Sequence, residues 1–89
     1  MLSKREEAVL LAMADHLPDE YAAPFKYIGQ YVENMGGGCE PHNIRRVVRA
    51  LARKGYTEFV RGLFRDDGYL HGSGYGVTRK GRDCYNGLD

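Results

Sequence analysis

The sequence predicts one small α+β domain, in which three helices precede a two-stranded β-hairpin and a short final helical turn. Three observations favour this class. Apolar residues recur at helical spacing through the first half, the composition then changes to Tyr, Thr, Phe, Val and Gly, and a turn sequence divides that second part. The chain has 89 residues, 43% of them hydrophobic, which suits one core and excludes a multidomain enzyme. We therefore expect residues 1–89 to form a single domain.

The first helix is predicted at about residues 4–17. Ser3 and Glu6 have the spacing of a capping box, in which the hydroxyl accepts from the amide three residues later and the carboxylate reaches back to the cap amide. Pro18 ends the helix because proline cannot continue it. The apolar residues are spaced three or four positions apart, at Val9, Leu10, Met13 and Leu17.

The second helix is predicted at about residues 24–35. Pro24 suits its first turn, where a missing N–H has no intrahelical partner to lose. The glycine run at 36–38 ends it, since glycine adopts the left-handed cap conformation without penalty. One stripe of the helix is apolar and consists of Phe25, Ile28, Val32 and Met35.

The third helix, at about residues 41–54, has the strongest amphipathic pattern in the chain. Pro41 opens it and Gly55 ends it. Apolar residues and bases occupy opposite sides, with Ile44, Val47, Val48 and Leu51 on one and His42, Arg45, Arg46, Arg49 and Arg53 on the other. This pattern predicts one side buried in a core and one basic side facing solvent.

A β-hairpin is predicted at about residues 56–77. Its strands are residues 56–64 and 69–77, and Asp66-Asp67-Gly68 supplies the turn. Residues 78–82 then predict a short final helical turn, which Gly81 weakens because glycine is a poor helix former.

The register of the hairpin follows if Asp67-Gly68 is a two-residue turn. Val60 then lies opposite Tyr75, the apolar pairs share one face, and Arg61 and Arg65 project together from the other face. A bulge would shift this register, and two glycines could form one, Gly62 or Gly72.

This order of elements resembles a winged helix-turn-helix domain over about residues 4 to 83. Residues 44–56, IRRVVRALARKGY, are similar to that family's recognition helix and its exit into the wing. Residues 75–82, YGVTRKGR, are similar to the end of its second wing strand. The connection at 36–40 is longer than the tight turn of the simplest members. The resemblance implies that helix 41–54 is the recognition helix and that hairpin 56–77 is the wing.

Charge is divided unevenly along the chain. The formal net charge is +1, but residues 1–40 carry three bases against seven acids, whereas residues 41–89 carry ten bases against five acids. The third helix has five bases and no acid. Like charges four positions apart, such as Arg45 with Arg49, destabilise an isolated helix by a few tenths of a kcal/mol, and a polyanion would reverse that effect. The distribution favours a nucleic-acid partner for the second half.

We therefore expect sequence-specific binding of double-stranded DNA, with the third helix in the major groove, where arginine can bond guanine and asparagine can bond adenine. The resemblance implies that the start of the helix reads base edges, that its end meets phosphate, and that the wing reaches the backbone or minor groove. The expected base readers are His42, Asn43, Arg45, Arg46 and Arg49, and the expected backbone contacts are Arg53, Lys54, Arg61 and Arg65.

The expected protein is a small cytoplasmic transcriptional regulator, such as a repressor, that associates with the nucleoid when bound to DNA and is not an enzyme. A homodimer is expected because one module buries only roughly 600–1,000 Å² on DNA. Leu10, Leu11 and Leu17 could be a dimer surface or ordinary core. The alternative function is a winged-helix protein-interaction module that uses its acidic N-terminal half.

Other patterns are weaker. Cys39, His42, His71 and Cys84 include only one pair with zinc-like spacing, so we expect no metal, no cofactor and two free thiols. The alternating glycines at 72–76 are typical of a flexible or bulged strand rather than a nucleotide loop. No apolar run is long enough for a membrane segment.

Overall fold

The computed structural model describes residues 2–18, 21–64 and 70–88. In this part of the chain, four helices pack with a three-stranded antiparallel sheet, which confirms the predicted α+β class. The elements in chain order are α1 Lys4–His16, β1 Ala22–Ala23, α2 Phe25–Asn34, a 3-10 turn Pro41–Asn43, α3 Ile44–Arg53, β2 Thr57–Phe64, β3 Leu70–Val77 and α4 Arg79–Leu88.

The capping box at the start of α1 is confirmed. The Glu6 amide donates to Ser3 Oγ at 3.2 Å, and the Ser3 amide donates to Glu6 Oε1 at 2.8 Å. The helix ends one residue earlier than predicted because Leu17, which precedes Pro18, is extended at φ −102° and ψ 118°. A residue before proline is disfavoured in the helical region, so the proline acts one position upstream.

Both later helices are shorter than their predicted spans. Pro24 is the extended N-cap of α2 rather than its first helical residue. The segment Pro41–Asn43 forms a 3-10 turn, and the α-helix begins only at Ile44. Glycines still end both helices as expected, with positive φ angles at residues 36–38 and at Gly55.

The core lies between α1, α2 and α3 and includes one residue of β1. Leu10 is fully buried and Leu17 is 5% exposed, so both are core residues and neither is available to a dimer surface. The buried core residues are Val9, Leu10, Ala12, Met13, Leu17, Ala23, Ile28, Val32, Ile44, Val47, Val48 and Leu51.

The sheet has the order β1-β3-β2, and its first strand was not predicted. In β1, Ala22 pairs with Gly76 and Ala23 pairs with Tyr75. A Cβ atom on Gly74 would lie 2.5 Å from the Ala23 carbonyl group. A Cβ on Gly76 would lie 2.6 Å from the neighbouring Tyr21 carbonyl oxygen. These two glycines therefore let the segment around β1 approach β3 closely.

The predicted hairpin register is wrong by one residue. Val60 lies opposite Gly74 instead of Tyr75, and Phe59 takes the place opposite Tyr75. The pairing shifts between Arg61 and Leu63, at Gly62, which is one of the two glycines expected to form a bulge, and it shifts again between Leu63 and Phe64. A one-residue displacement changes which side chains share a face, so Phe59, Arg61 and Tyr75 lie together. The predicted turn at 66–68 lies outside the described residues.

The C-terminal segment forms the ten-residue helix α4 rather than a weak turn. Thr78 Oγ1 accepts from the Gly81 amide at 3.1 Å and donates to the Gly55 carbonyl at 2.6 Å. The Arg82 guanidinium donates to the carbonyls of Ala14, at 2.9 Å, and of Leu17 at the end of α1. Tertiary hydrogen bonds therefore stabilise a helix whose intrinsic propensity is low. None of the described helices is long and apolar enough to cross a membrane.

Candidate functional site

Helix α3 presents an unbroken basic face to solvent. Its four arginines, Arg45, Arg46, Arg49 and Arg53, are all exposed, while Ile44, Val47, Val48 and Leu51 are buried on the opposite side. At 3.6 residues per turn, the four arginines fall within an arc of about 100°. The helix contains no acidic residue, so this face carries four positive charges without an internal counter-charge.

The hairpin packs against α3 and turns one of its own faces toward the helix. The Thr57 hydroxyl is buried and donates to the Val48 carbonyl of α3 at 3.0 Å. Side chains alternate along a strand, so Phe59 and Arg61 project from the same face of β2 as Thr57, whereas Glu58 projects from the other face. The helix and the hairpin thus form a corner.

Three aromatic rings line this corner. The ring centroids of Phe25, at the start of α2, and Tyr75 are 5.3 Å apart, and those of Tyr75 and Phe59 are 5.4 Å apart. These separations are typical of stacked and tilted aromatic pairs. We call these three residues, Phe25, Tyr75 and Phe59, the aromatic strip.

Arginines lie over both ends of the aromatic strip. The Cζ atoms of Arg45 and Arg49 are 5.4 and 6.0 Å from the Phe25 centroid, and that of Arg61 is 5.7 Å from the Phe59 centroid. Cations at this range are attracted to the negative face of a ring. The strip therefore connects two arginines of α3 with one of the hairpin, and three of the predicted DNA-binding residues meet at one corner.

The two residues before α3 differ in their surroundings. The His42 side chain is 75% exposed, and its Nε2 lies 3.2 Å from the Glu40 carboxylate. Asn43 is buried, and its Oδ1 accepts from Arg46 Nη2 at 3.0 Å. Asn43, expected to read a base edge, instead holds the guanidinium of an expected base reader.

Lys54 lies apart from the arginine face. Its ammonium group donates to both carboxylate oxygens of Glu6 at 2.8 Å, which joins the end of α3 to the first turn of α1. Hydrogen bonds from Lys54 and from the Ser3 amide hold the pKa of the Glu6 carboxyl below its usual value. Lys54, expected to contact phosphate, thus makes a structural ion pair. Arg65 lies outside the described residues.

A depression of about 510 Å³ adjoins the first turn of α3. Three of its lining residues, Lys26, His42 and Arg45, can carry positive charge, and none is acidic; the other four are Phe25, Gly29, Pro41 and Ile44. Lys26 was not among the predicted site residues. Neither were the members of the aromatic strip, because the sequence pattern assigned Phe25 to an apolar stripe and could not pair Tyr75 with Phe59 in the wrong register.

The weaker sequence patterns, which are the possible metal ligands and the two cysteines, do not form a site in the described part of the chain. No three His, Cys, Asp or Glu side chains come together there as metal ligands. Cys39 and Cys84 are separate thiols, and burial raises the pKa of the Cys39 thiol, which disfavours its nucleophilic form. The side chain of His71 is outside the described set.

Comparison of the chain with protein-family models, with curated proteins and with solved structures gives no match. The function therefore has to be inferred from the geometry of the chain itself.

Proposed function

We propose that this protein binds double-stranded DNA as a small transcriptional regulator with a winged helix-turn-helix layout, using α3 as its recognition helix. The observation that carries the proposal is the set of four exposed arginines on one face of α3, with Arg61 of the hairpin at the same corner. The fold is compatible with this layout, since the hairpin of β2 and β3 follows α3 directly.

The chemistry of the face suits duplex DNA. The major groove is about 12 Å wide and accepts an α-helix, and a guanidinium can donate two hydrogen bonds to the O6 and N7 atoms of guanine. Arginine also forms bidentate hydrogen bonds with phosphate. His42 and Arg46, near the start of α3, are the proposed base contacts, together with Arg45 and Arg49. Arg53 and Arg61 are the proposed phosphate contacts.

Local placement of charge matters more than total charge for this function. With a formal net charge of only +1, the protein has little long-range attraction for a polyanion. Binding therefore depends on the orientation of α3 relative to the major groove. Arg46 is positioned for this by its hydrogen bond to Asn43, and Arg45 and Arg49 by the Phe25 ring. Such contacts reduce the side-chain entropy lost on binding.

A homodimer is part of the proposal. One module of this size buries roughly 600–1,000 Å² on DNA, and two copies on a two-fold site would double that contact. Sedimentation across a range of protein concentrations, with and without DNA, tests this point. A particle that stays monomeric at high micromolar concentration in both cases contradicts it.

The direct test is fluorescence anisotropy with labelled random-sequence duplexes of about two helical turns (~20 bp) across a salt series. On random-sequence duplexes, where all five arginines are expected to contact phosphate, each bound copy predicts a log-log salt slope near −4.5, so that the affinity of one copy falls about 500-fold between ~50 and ~200 mM salt. The triple variant Arg45→Ala/Arg46→Ala/Arg49→Ala is expected to bind weakly, with a slope about 2.7 units shallower. Selection from a random library then identifies the preferred sequence.

A matched control removes three positive charges elsewhere, through Lys4→Ala/Arg5→Ala/Arg79→Ala in α1 and α4. This variant has the same net charge as the arginine variant and is expected to keep the wild-type slope. If both triple variants lose affinity equally, the effect is net charge and α3 is not the interface. If the wild type shows no salt-sensitive binding, the DNA function is wrong and the protein-interaction alternative is favoured.

A further inference from the structure

One ring of the aromatic strip, that of Phe59, is more exposed than the recognition of an intact duplex requires. Phe59 is 50% exposed, although it lies on the face of β2 that turns toward α3. In duplex DNA the bases stack on one another and offer a protein only their edges and the phosphates. A half-exposed ring therefore has no base to stack on when an intact duplex is bound.

We propose that the corner between α3 and the hairpin also binds single-stranded nucleic acid, with an unpaired base stacking against the Phe59 end of the aromatic strip. Proteins that bind single strands combine a positively charged surface with aromatic side chains on which bases stack. Both features occur together in this corner, since guanidinium groups flank the rings at each end.

The arrangement of charge supports this ligand. Arg61 lies 5.7 Å from the Phe59 centroid, and Arg45 and Arg49 lie over Phe25 two rings away. A single nucleic-acid strand bound along the aromatic strip would thus have a guanidinium group near its phosphates at both ends. The acidic neighbour Glu58 projects from the opposite face of the sheet. The described cations over the rings of the strip are three guanidinium groups.

The phosphate and the base of a nucleotide match the guanidinium groups and the aromatic rings of this corner. The face of a base is apolar and polarisable and can stack on an aromatic ring or on a guanidinium plane. Because every base has such a face, binding should tolerate different sequences. Single strand and duplex would compete for the protein, since both use Arg45, Arg49 and Arg61.

The experiment measures anisotropy of a labelled oligo-dT of ~20 nucleotides, which exceeds the ~4–16 nucleotides that a single-strand-binding domain of the OB-fold type covers. Phe59→Leu keeps an apolar side chain but removes the aromatic face, and is expected to weaken binding about 5- to 30-fold. Phe59→Tyr keeps a ring and is expected to restore affinity. Met35→Ala is the matched control, because it truncates another exposed apolar residue, 46% exposed, at the far end of α2.

An oligonucleotide of equal length with abasic sites separates stacking from charge. It has the same phosphates but no bases, so wild type and Phe59→Leu should bind it equally weakly and with the same salt slope. Oligo-U in the same assay tests whether a ribose backbone is accepted, and binding of either oligo-dT or oligo-U supports the proposal. Equal affinity of wild type and Phe59→Leu for oligo-dT, or tight binding of the abasic strand by wild type, overturns it.

The two proposals fail separately. Loss of oligo-dT binding in Phe59→Leu together with no duplex binding by the wild type would contradict duplex recognition and leave the single-strand proposal standing. Salt-sensitive duplex binding that depends on the α3 arginines, with no oligo-dT binding by the wild type, would contradict the single-strand proposal and leave duplex recognition standing.

Discussion

The ion pair between Glu6 and Lys54 offers a sharp test of how α3 is held on the rest of the domain. The Glu6 side chain is 9% exposed and the Lys54 side chain is 41% exposed, and the ammonium lies 2.8 Å from both carboxylate oxygens. Glu6→Gln keeps the shape of the side chain but removes its charge. The neutral amide has only one oxygen to accept hydrogen bonds, so it cannot replace both contacts.

The expected loss of stability lies between two limits. An exposed ion pair contributes ~0–1 kcal/mol, whereas breaking a pair buried on both sides costs ~3–5 kcal/mol. Because one partner is buried and the other is substantially exposed, Glu6→Gln should reduce the free energy of unfolding by about 2 kcal/mol. This corresponds to a fall in Tm of about 10 °C for a domain of this size. Urea unfolding followed by circular dichroism measures it at pH 7.

The pH dependence gives an independent check. Lys54 and the Ser3 amide lower the pKa of Glu6 in the folded state, so its contribution to stability is complete above the unfolded-state pKa of about 4.3. It is lost as the pH falls through the lower pKa of the folded state. The stability gap between wild type and Glu6→Gln should therefore narrow as the pH is lowered from about 7 to about 3.

A matched control distinguishes the ion pair from a change in net charge. Glu7→Gln removes the same charge from the next residue of α1, about 100° around the helix from Glu6, and is expected to change stability by less than ~0.5 kcal/mol. A stabilising role of the ion pair is refuted if the two variants are equally stable at pH 7. It is also refuted if the stability gap between wild type and Glu6→Gln is the same at both ends of the pH range.

Two further predictions concern a glycine in α4 and the ring beneath the arginines. Gly81→Ala should lower the free energy of unfolding by about 2–3 kcal/mol, because its Cβ would overlap the Tyr56 carbonyl oxygen. Gly87→Ala has open space and should stabilise α4 by up to ~1 kcal/mol, so equal losses in the two variants would contradict the close approach. Phe25→Leu should weaken duplex binding about tenfold, since ordering each freed arginine costs ~0.5–1.5 kcal/mol. Its salt slope should stay unchanged in the same anisotropy assay, and a shallower slope would mean that charge contacts were lost instead.

Local sequence signals predicted the three main helices because each signal acts within a few residues. The capping box of Ser3 and Glu6 and the positive-φ glycine at Gly55 stabilise helix ends through contacts with the adjacent turn. The 3.6-residue period of α3 assigned its buried and basic sides correctly, since a helix fixes the relative directions of its own side chains. The four exposed arginines could therefore be selected from the sequence.

Elements that depend on distant partners were missed or misplaced. The two residues of β1 have no strand pattern of their own and are a strand only because β3 pairs with them. The helix α4 contains two glycines, yet it forms because Thr78 caps it and Arg82 donates to the end of α1. The hairpin was predicted, and Gly62 was one of two candidates for a bulge, but a turn rule applied to the sequence could not decide whether a bulge forms or which register results.

By itself the sequence determined the α+β class, the three main helices and the basic side of α3, because these follow from spacing and from contacts within one element. Only the tertiary structure decided which cations share a surface. It paired Lys54 with Glu6, 48 positions earlier in the chain, and it brought Arg61 of the hairpin to the same aromatic strip as Arg45 and Arg49. Contacts between such distant positions depend on packing and strand register, and a one-residue change of register moves a side chain to the opposite face of the sheet.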